Sequence, residues 1–446
     1  MVQNKVILIF TLVLMFVIVS CSNELPQKPG TARLAEFNDT LYAGNGLPFR
    51  FKPAFAGLAD SDAAIIYKHV PSWLTADAES LYGTPGSITA DTSFAVTVYD
   101  GGVTRTRKYK VIMIPVNNPP EITSSASAEA TPGIYFCYTA AVDDSDGPAE
   151  IVRFDDVPSW LAADGDSLFG VPPDGANDTS FVVFASDGMR TDSRFVSVNM
   201  IPSIVVYGDT RTGHDPHQQI VNLIRAIQPS AVFHVGDLVN NGYLQSDWDI
   251  FNAIVAGMLS EVEFFPALGN HEHQSQLYFD NFDLPNNEQW YSVDRNRTHF
   301  IVLNSCVPIG PSSDQYQWLQ ADLAGADDSI DFIAAVFHHP PYSTGPHIED
   351  EVGLRDTLVP LFEQYGVDIV FTGHDHDYER SLCGGIYYIV TGGGGAPLRD
   401  QARQHPCSEL FIKQYHFCRL SMIDGRLIVR IYNINNDLID QFELSR

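Results

Sequence analysis

The sequence predicts a multidomain chain, two all-β sandwich modules followed by a larger α/β unit, and three observations carry that prediction. The first is a tandem repeat. Pro71-Ser72-Trp73-Leu74 matches Pro158-Ser159-Trp160-Leu161, Asp91-Thr92-Ser93-Phe94 matches Asp178-Thr179-Ser180-Phe181, and Gly83 and Pro85 fall on Gly170 and Pro172. The second is the period inside the repeats. Runs such as Phe94-Ala95-Val96-Thr97-Val98-Tyr99 and Phe195-Val196-Ser197-Val198 are β-branched and aromatic, partly alternating, with no helical spacing. The third is a change of texture at Ile204, beyond which apolar strands alternate with amphipathic helical patterns. The 446 residues accommodate two or three units of about 150 residues. With 45% hydrophobic and 18% charged residues the chain is not broadly disordered.

The N-terminus reads as an export signal. Residues 6 to 19 are an apolar stretch preceded by Lys5 and followed by Ser20. Val19-Ser20-Cys21-Ser22 resembles a bacterial lipobox, which implies acylation of Cys21, removal of residues 1–20 as a signal peptide, and a tether over 21–30. The alternative, an uncleaved transmembrane anchor, asks a short run to cross a bilayer that needs about 20 residues. Either reading places the body outside the cytoplasm, and the lipobox places it in a bacterial cell envelope, lipid-anchored, periplasmic or surface-exposed. A formal net charge of −29 repels phosphate backbones and sets aside a nucleic-acid scaffold role. Beyond Cys21 five cysteines remain, an odd number. A Cys383–Cys407 disulfide is the pairing we expect, although spacing alone does not settle connectivity.

Module 1 spans 31–117 and module 2 spans 118–202, joined at Val116-Asn117-Asn118-Pro119-Pro120. Their length and short strands suggest Ig-like sandwiches. The Asn-Asn-Pro-Pro link and the Pro-Ser-Trp-Leu signature resemble cadherin-like or Ig modules of bacterial surface proteins, which implies a spacer. The acidic runs Asp60-Ser61-Asp62 and Asp143-Asp144-Ser145-Asp146 read as solvated loops rather than calcium sites, since their spacing fits no fixed calcium loop.

In the unit 203–446, apolar strands are expected at Ile204–Tyr207, Ala231–Val235, Phe332–Phe337 and Val367–Phe371. A helix capped by Asp215-Pro216 is expected to run through Ile220, Leu223, Ile224 and Ile227, and Ser246 to open a second. Chemistry-bearing blocks closely follow most of these strands: Gly208-Asp209-Thr210-Arg211, Gly236-Asp237, Gly269-Asn270-His271-Glu272, His338-His339-Pro340-Pro341-Tyr342 and Gly373-His374-Asp375-His376. Open α/β sheets place ligand sites there. Carboxylate, amide oxygen and imidazole together suit iron, zinc or manganese, and two such ions about 4 Å apart need a shared carboxylate, for which Asp237 is the candidate.

These five blocks, in this order, resemble the calcineurin-like metallophosphoesterases, and His-His-Pro-Pro-Tyr points to their purple acid phosphatase-like branch. The resemblance implies two packed sheets flanked by helices and a metallophosphoesterase domain over 203–446. It implies a first metal held by Asp209, Asp237 and His376, and a second held by Asp237, Asn270, His338 and His374. His271 would stand beside the phosphate, and His347 would be a further active-site histidine. Two positions depart from the pattern. Arg211 stands where the family often has His, and Asn240 where purple acid phosphatases have Tyr, so the first site loses a protein ligand and Arg211 is free to act as a phosphate clamp. His214 and His217 are the candidates to replace the lost ligand. His234, His273, His299, His405 and His416 read as ordinary surface or core residues. Thr391–Gly395 reads as a tight turn beneath the site, with a phosphate cradle the weaker alternative.

The expected activity is hydrolysis of phosphate monoesters or diesters by a metal-bridging hydroxide. The alternative is a surface binding lipoprotein whose phosphoesterase domain is degenerate.

Overall fold

The computed structural model describes residues 38–53, 64–86, 90–100, 102–114, 117–145, 151–187, 190–327 and 329–445. The export signal, Cys21, the tether, Asp60-Ser61-Asp62 and Asp146 lie outside them. No described helix is long and apolar enough to cross a membrane. The chain divides into two compact units at Asn117/Asn118, within the Asn-Asn-Pro-Pro link.

The first unit holds a four-stranded sheet, ordered Asn38–Gly44, Val103–Ile114, Thr92–Asp100, Ala64–Lys68, and a three-stranded sheet, ordered Phe49–Phe51, Leu81–Gly83, Thr75–Ala76. The repeat in the second unit has the same arrangement. Its four-stranded sheet runs Ser127–Ala130, Thr191–Met200, Thr179–Ser186, Ile151–Asp155, and its three-stranded sheet Phe136–Thr139, Ser167–Gly170, Leu161–Asp164. Each repeat buries one apolar core drawn from both sheets. The repeated residues have structural reasons. A Cβ on Gly83 would lie 2.0 Å from the Trp73 carbonyl oxygen and one on Gly170 2.0 Å from that of Trp160, so only glycine lets the strand pass the tryptophan turn. Trp73 and Trp160 meet Phe49 and Phe136 edge-on, at 5.5 and 5.6 Å. Asp91 and Asp178 accept the backbone N–H of Met113 and Met200, pinning the last long strand of each repeat.

From Ile204 the chain builds two larger sheets. One has six strands in the order Glu263–Pro266, Ala231–His234, Ile204–Tyr207, His416–Ile423, Arg426–Asn433, Leu438–Ser445. The other has seven, in the order Tyr291–Arg295, Thr298–Val302, Phe332–Val336, Ile369–Thr372, Ile386–Thr391, Tyr378–Cys383, Ser408–Ile412. Each contains a central parallel strand that is apolar and buried throughout, Ile204–Tyr207 in one and Phe332–Val336 in the other, because both of its faces are covered. In the seven-stranded sheet Phe300, Val302, Ala334, Val336, Ile369 and Phe371 face the core shared with the first sheet, and Phe233 stacks on Phe300 at 4.1 Å. The alternate residues Ile301, Ile333, Ala335 and Val370 face a second core containing Leu319, Leu323 and Phe362 of the helices Asp314–Gly325 and Val359–Tyr365. On the other sheet the helix His214–Ile227 buries Ile220, Val221, Ile224 and Ile227. It starts one residue before Asp215, whose side chain makes no cap bond. Asp215 is therefore a first-turn acid at the positive helix end rather than the expected cap. Cys383 and Cys407 are disulfide-bonded, and Cys137, Cys306 and Cys418 are free.

The second repeat is joined to these sheets by buried polar contacts, which is more than a spacer requires. Arg419, 5% exposed, donates to the Pro132 carbonyl at 2.7 Å, pairs with Asp174 at 2.8 Å and reaches Ser203 Oγ at 3.0 Å. Thr131 donates to the Met422 carbonyl at 2.9 Å and Arg430 to that of Gly133 at 2.8 Å. Cutting at 203 would take Pro132 and Asp174 away from Arg419 and expose its guanidinium. Arg419→Ala, which leaves the Pro132 carbonyl and Asp174 without their donor, is expected to cost about 3 kcal/mol of stability. A denaturant midpoint unchanged from wild type would show this contact to be incidental.

Two core histidines predict an acid-sensitive fold. Burial holds His217 down to about 3 and His416 down to about 4. The folded pKa lies below the unfolded value of about 6.5, so each contributes stability that is full above pH 6.5 and lost as pH falls toward the folded pKa. Buried carboxyl groups raised in pKa act in the opposite sense, so the test is a difference. His416→Gln is expected to lose less stability than wild type between pH 6.5 and 4, by roughly 3 kcal/mol at most. Parallel stability curves would contradict it.

Candidate metal centre

The motif blocks stand at the ends of five parallel strands from the two sheets, and three of their residues are held in strained backbone. Asp209, Asp237 and His374 have φ of 56°, 56° and 70°, a left-handed conformation that costs a side-chain-bearing residue about 1–3 kcal/mol and persists where surroundings over-determine it. The surroundings are visible. Glu272, fully buried, accepts the N–H groups of Asp237, Gly269 and Val239 at 2.9, 2.7 and 3.2 Å and so clamps two of the loops together. Burial, and then the charge of Asp237, push its carboxyl up to about 8.

The glycine-rich loop 392–395 lies beneath. A Cβ on Gly392 would come within 2.9 Å of the Asp209 carboxylate, and one on Gly394 within 2.2 Å of the Gly208 carbonyl. The N–H groups of Gly392, Gly394 and Ala396 go to the carbonyls of Asp377, Gly208 and Asp209, which leaves them nothing to offer a phosphate. The loop is a close-packed support whose alternate N–H groups are spent on backbone carbonyls.

Each of three histidines has one nitrogen committed and the other aimed inward. His338 Nδ1 lies 3.0 Å from the Val235 carbonyl and His376 Nδ1 2.8 Å from that of Pro397. A carbonyl only accepts, so the His338 ring carries its proton on Nδ1 and leaves the Nε2 lone pair free; the shorter carbonyl contact favours the same tautomer for His376, although Arg399 Nε also lies 3.3 Å from its Nδ1. His374 Nε2 lies 3.0 Å from the Glu351 carboxylate, which leaves Nδ1 free. The free atoms converge: His338 Nε2, His374 Nδ1 and Asn270 Oδ1 are 3.0 to 3.2 Å from one another, three acceptors with no hydrogen between them. Beside them His338 Nε2 is 3.4 Å from Asp237 Oδ1, and His376 Nε2 is 3.6 Å from Asp209 Oδ1. Burial, and then the neighbouring Asp237, push the Asp209 carboxyl well above the usual range, while Arg211 pulls it back. Clustered lone pairs and paired buried acids fit cations. At this centre two groups have donor atoms close enough to share an ion: Asp209, Asp237 and His376, and His338, His339 and His374; the third such group among the described residues contains the Cys383–Cys407 disulfide. Burial holds the His376 imidazole down to about 4, so it stays unprotonated and able to ligate well into acid.

Residues 202–378 match the family model of the calcineurin-like phosphoesterases. The chain carries a calcineurin-like phosphoesterase domain. Purple acid phosphatases are among its homologues. Purple acid phosphatase 21 of Arabidopsis thaliana is 31% identical over 231 residues, covering 45% of this chain and 53% of that protein. Probable inactive purple acid phosphatase 1 of the same plant is 26% identical over 329 residues, covering 59% and 53%. The chain thus spans about half the length of these relatives. A purple acid phosphatase structure from yellow lupin seeds superposes with a TM-score of 0.50 at 20% identity, covering 82% of both chains, a likeness of fold.

Around the candidate metal centre the structure also brings together Arg211, His271 and His347. Arg211, 15% exposed, lies 3.2 Å from Asp237 Oδ2 through Nε and 3.4 Å from His376 Nε2 through Nη2. His271 Nδ1 donates to the Asn240 carbonyl at 2.6 Å, so Asn240, which lacks the family's phenolate, contributes its backbone instead. His271 Nε2 lies 3.8 Å from Asp237 Oδ2. His347 stacks on His374 at 3.8 Å, donates from Nδ1 to Asp375 and receives Arg399 Nη1 on Nε2 at 3.0 Å. The suggested replacement ligands do not reach the centre. His217 is buried with Nε2 3.3 Å from the Tyr207 hydroxyl, His214 is an exposed first-turn residue, and neither is in a group whose donor atoms could share an ion.

Sequence reasoning missed Glu351, Asp375, Pro397 and Arg399. Asp375 sits inside the His-x-His block, and its position between two histidines was the one available signal. The other three lie in loops with no motif, and only folding brings them to the site.

Proposed function

We propose that this chain is an exported, metal-dependent hydrolase of phosphate monoesters or diesters, anchored through Cys21 and carrying two Ig-like modules. The convergence of His338 Nε2, His374 Nδ1 and Asn270 Oδ1 beside Asp237 and Asp209 carries the reading. Asp209, Asp237 and His376 are the ligands of one ion, with Asp237, Asn270, His338 and His374 those of the other; His339, buried beside them, is a further candidate. Iron, zinc or manganese bound there would neutralise phosphate oxygens and acidify an attacking water. The chain's own groups do the rest. The Val235 and Pro397 carbonyls and Glu351 fix the ring orientations, Arg211 offers a guanidinium fork to a phosphate oxygen, and His271, oriented by Asn240, presents Nε2 to the departing oxygen.

The second reading, a binding lipoprotein with a degenerate domain, has one observation in its favour: Arg211 lies against two first-site ligands. Metal titration of the purified chain, followed by assay on 4-nitrophenyl phosphate and bis(4-nitrophenyl) phosphate, separates the two. Metal-dependent turnover with about two ions per chain is expected. Less than about one ion per chain and no turnover of either ester would establish the second reading.

A further inference from the structure

A cavity of about 670 Å³ opens directly beside the candidate metal centre, sharing Asn270 and His339 with it. The chain has a net charge of −29, yet among the described residues none of the side chains lining this cavity belongs to Asp, Glu, Lys or Arg. Glu351, the acid next to the lining residue Val352, has its carboxylate on His374. The wall is instead aromatic and aliphatic. Tyr243 lies parallel to the His273 ring, centroids 5.1 Å apart and planes 7° from coplanar, with its hydroxyl 3.3 Å from the His273 carbonyl. It remains 64% exposed, so a ring held in place by its neighbour still offers aromatic surface. Pro308, Ile309, Val352 and Leu354 supply the apolar remainder.

We infer that this cavity is the subsite for the alcohol half of the ester, and that it takes an uncharged planar ring, as in an aryl or nucleoside ester. The inference rests on the phosphoesterase reading for what happens at phosphorus but not for the binding itself. A cavity that touches the ligands of a phosphate site receives whatever the phosphate is attached to. A neutral wall does not compensate the desolvation of a second phosphate or a carboxylate, so pyrophosphate and polyphosphorylated sugars are poor occupants. A flat ring meets a fixed aromatic platform, a contact that strengthens binding about two- to tenfold beyond the area it buries. Gln274 and Ser305 in the same wall leave neutral hydrogen-bonding groups for ring heteroatoms.

Two measurements test this on the full chain. In the first, kcat/KM is compared for phenyl phosphate, adenosine 5′-monophosphate, glycerol phosphate and pyrophosphate. The two ring esters are expected to lead by at least about tenfold, and Tyr243→Ala and Val352→Asp to shrink that ratio severalfold or more. Equal rates across the four, or a ratio unmoved by both variants, overturns the inference. In the second, adenosine and phenol are titrated against the metal-free protein and followed by ligand-observed NMR. Binding that Val352→Asp abolishes supports the subsite even if no ester is turned over, an outcome that would sink the phosphoesterase reading alone. No binding of either ring, alongside efficient hydrolysis without ring preference, sinks the subsite alone.

Discussion

Asp237→Asn is expected to lower kcat/KM for any phosphate ester by about three orders of magnitude, roughly 4 kcal/mol of transition-state stabilisation, while leaving the fold intact. The substitution removes one charge and changes almost no volume. In the proposed ligand sets Asp237 serves both ions: Oδ1 is 3.4 Å from His338 Nε2, and Oδ2 faces Arg211 at 3.2 Å. Its backbone is held independently by the Glu272 carboxylate, so losing the side-chain charge does not release the loop. His338→Ala, which deletes a fully buried ring, is expected to match the loss of activity and to cost some stability as well. Kinetics, metal content and urea midpoints of both variants decide the matter. Turnover near wild type in either, with the protein folded, would remove Asp237 or His338 from the metal centre.

How much of this was legible beforehand follows from where the information sits. The ligand blocks were legible because each is a short local string at the end of an apolar strand, and a parallel sheet brings such ends to one edge. The repeat was legible for a similar reason. Gly83 and Gly170 recur because a backbone carbonyl passes where a Cβ would be, and that constraint is identical in both copies. What could not be read is what the chain decides late, by tertiary placement. Nothing near Pro397 marks its carbonyl as the acceptor that fixes His376, and nothing near Glu351 marks it as the partner of His374. Both sit in irregular loops whose paths depend on the sheets beneath. The helix offered a subtler lesson. Its apolar period predicted Ile220, Ile224 and Ile227 in the core, but the period does not say what a buried histidine on the same face will bond to, and His217 is spent on the Tyr207 hydroxyl.

Arg211→Ala is expected to lower kcat/KM by about one to two orders of magnitude without lowering metal content, as expected for removing one charge-assisted hydrogen bond of roughly 1.5–3 kcal/mol. A guanidinium has five N–H donors and no lone pair, so it cannot replace a missing ligand. In the structure it rests on Asp237 at 3.2 Å and approaches the His376 lone pair at 3.4 Å, the two groups an incoming ion must also use. A bound ion would repel the guanidinium and take those acceptors, and the nearest anionic group left for Arg211 is then the substrate. Metal affinity in the Ala variant should hold or rise, since a competing cation has gone. Arg211→Lys, which keeps the charge and loses the fork, should recover only part of the rate. Arg211→His supplies a lone pair where the first ion lacks one, and should tighten that site without restoring the grip on phosphate. If Arg211→Ala instead sheds metal and its rate per bound ion is unchanged, the arginine is a support for Asp237 and His376, and the clamp is disproved.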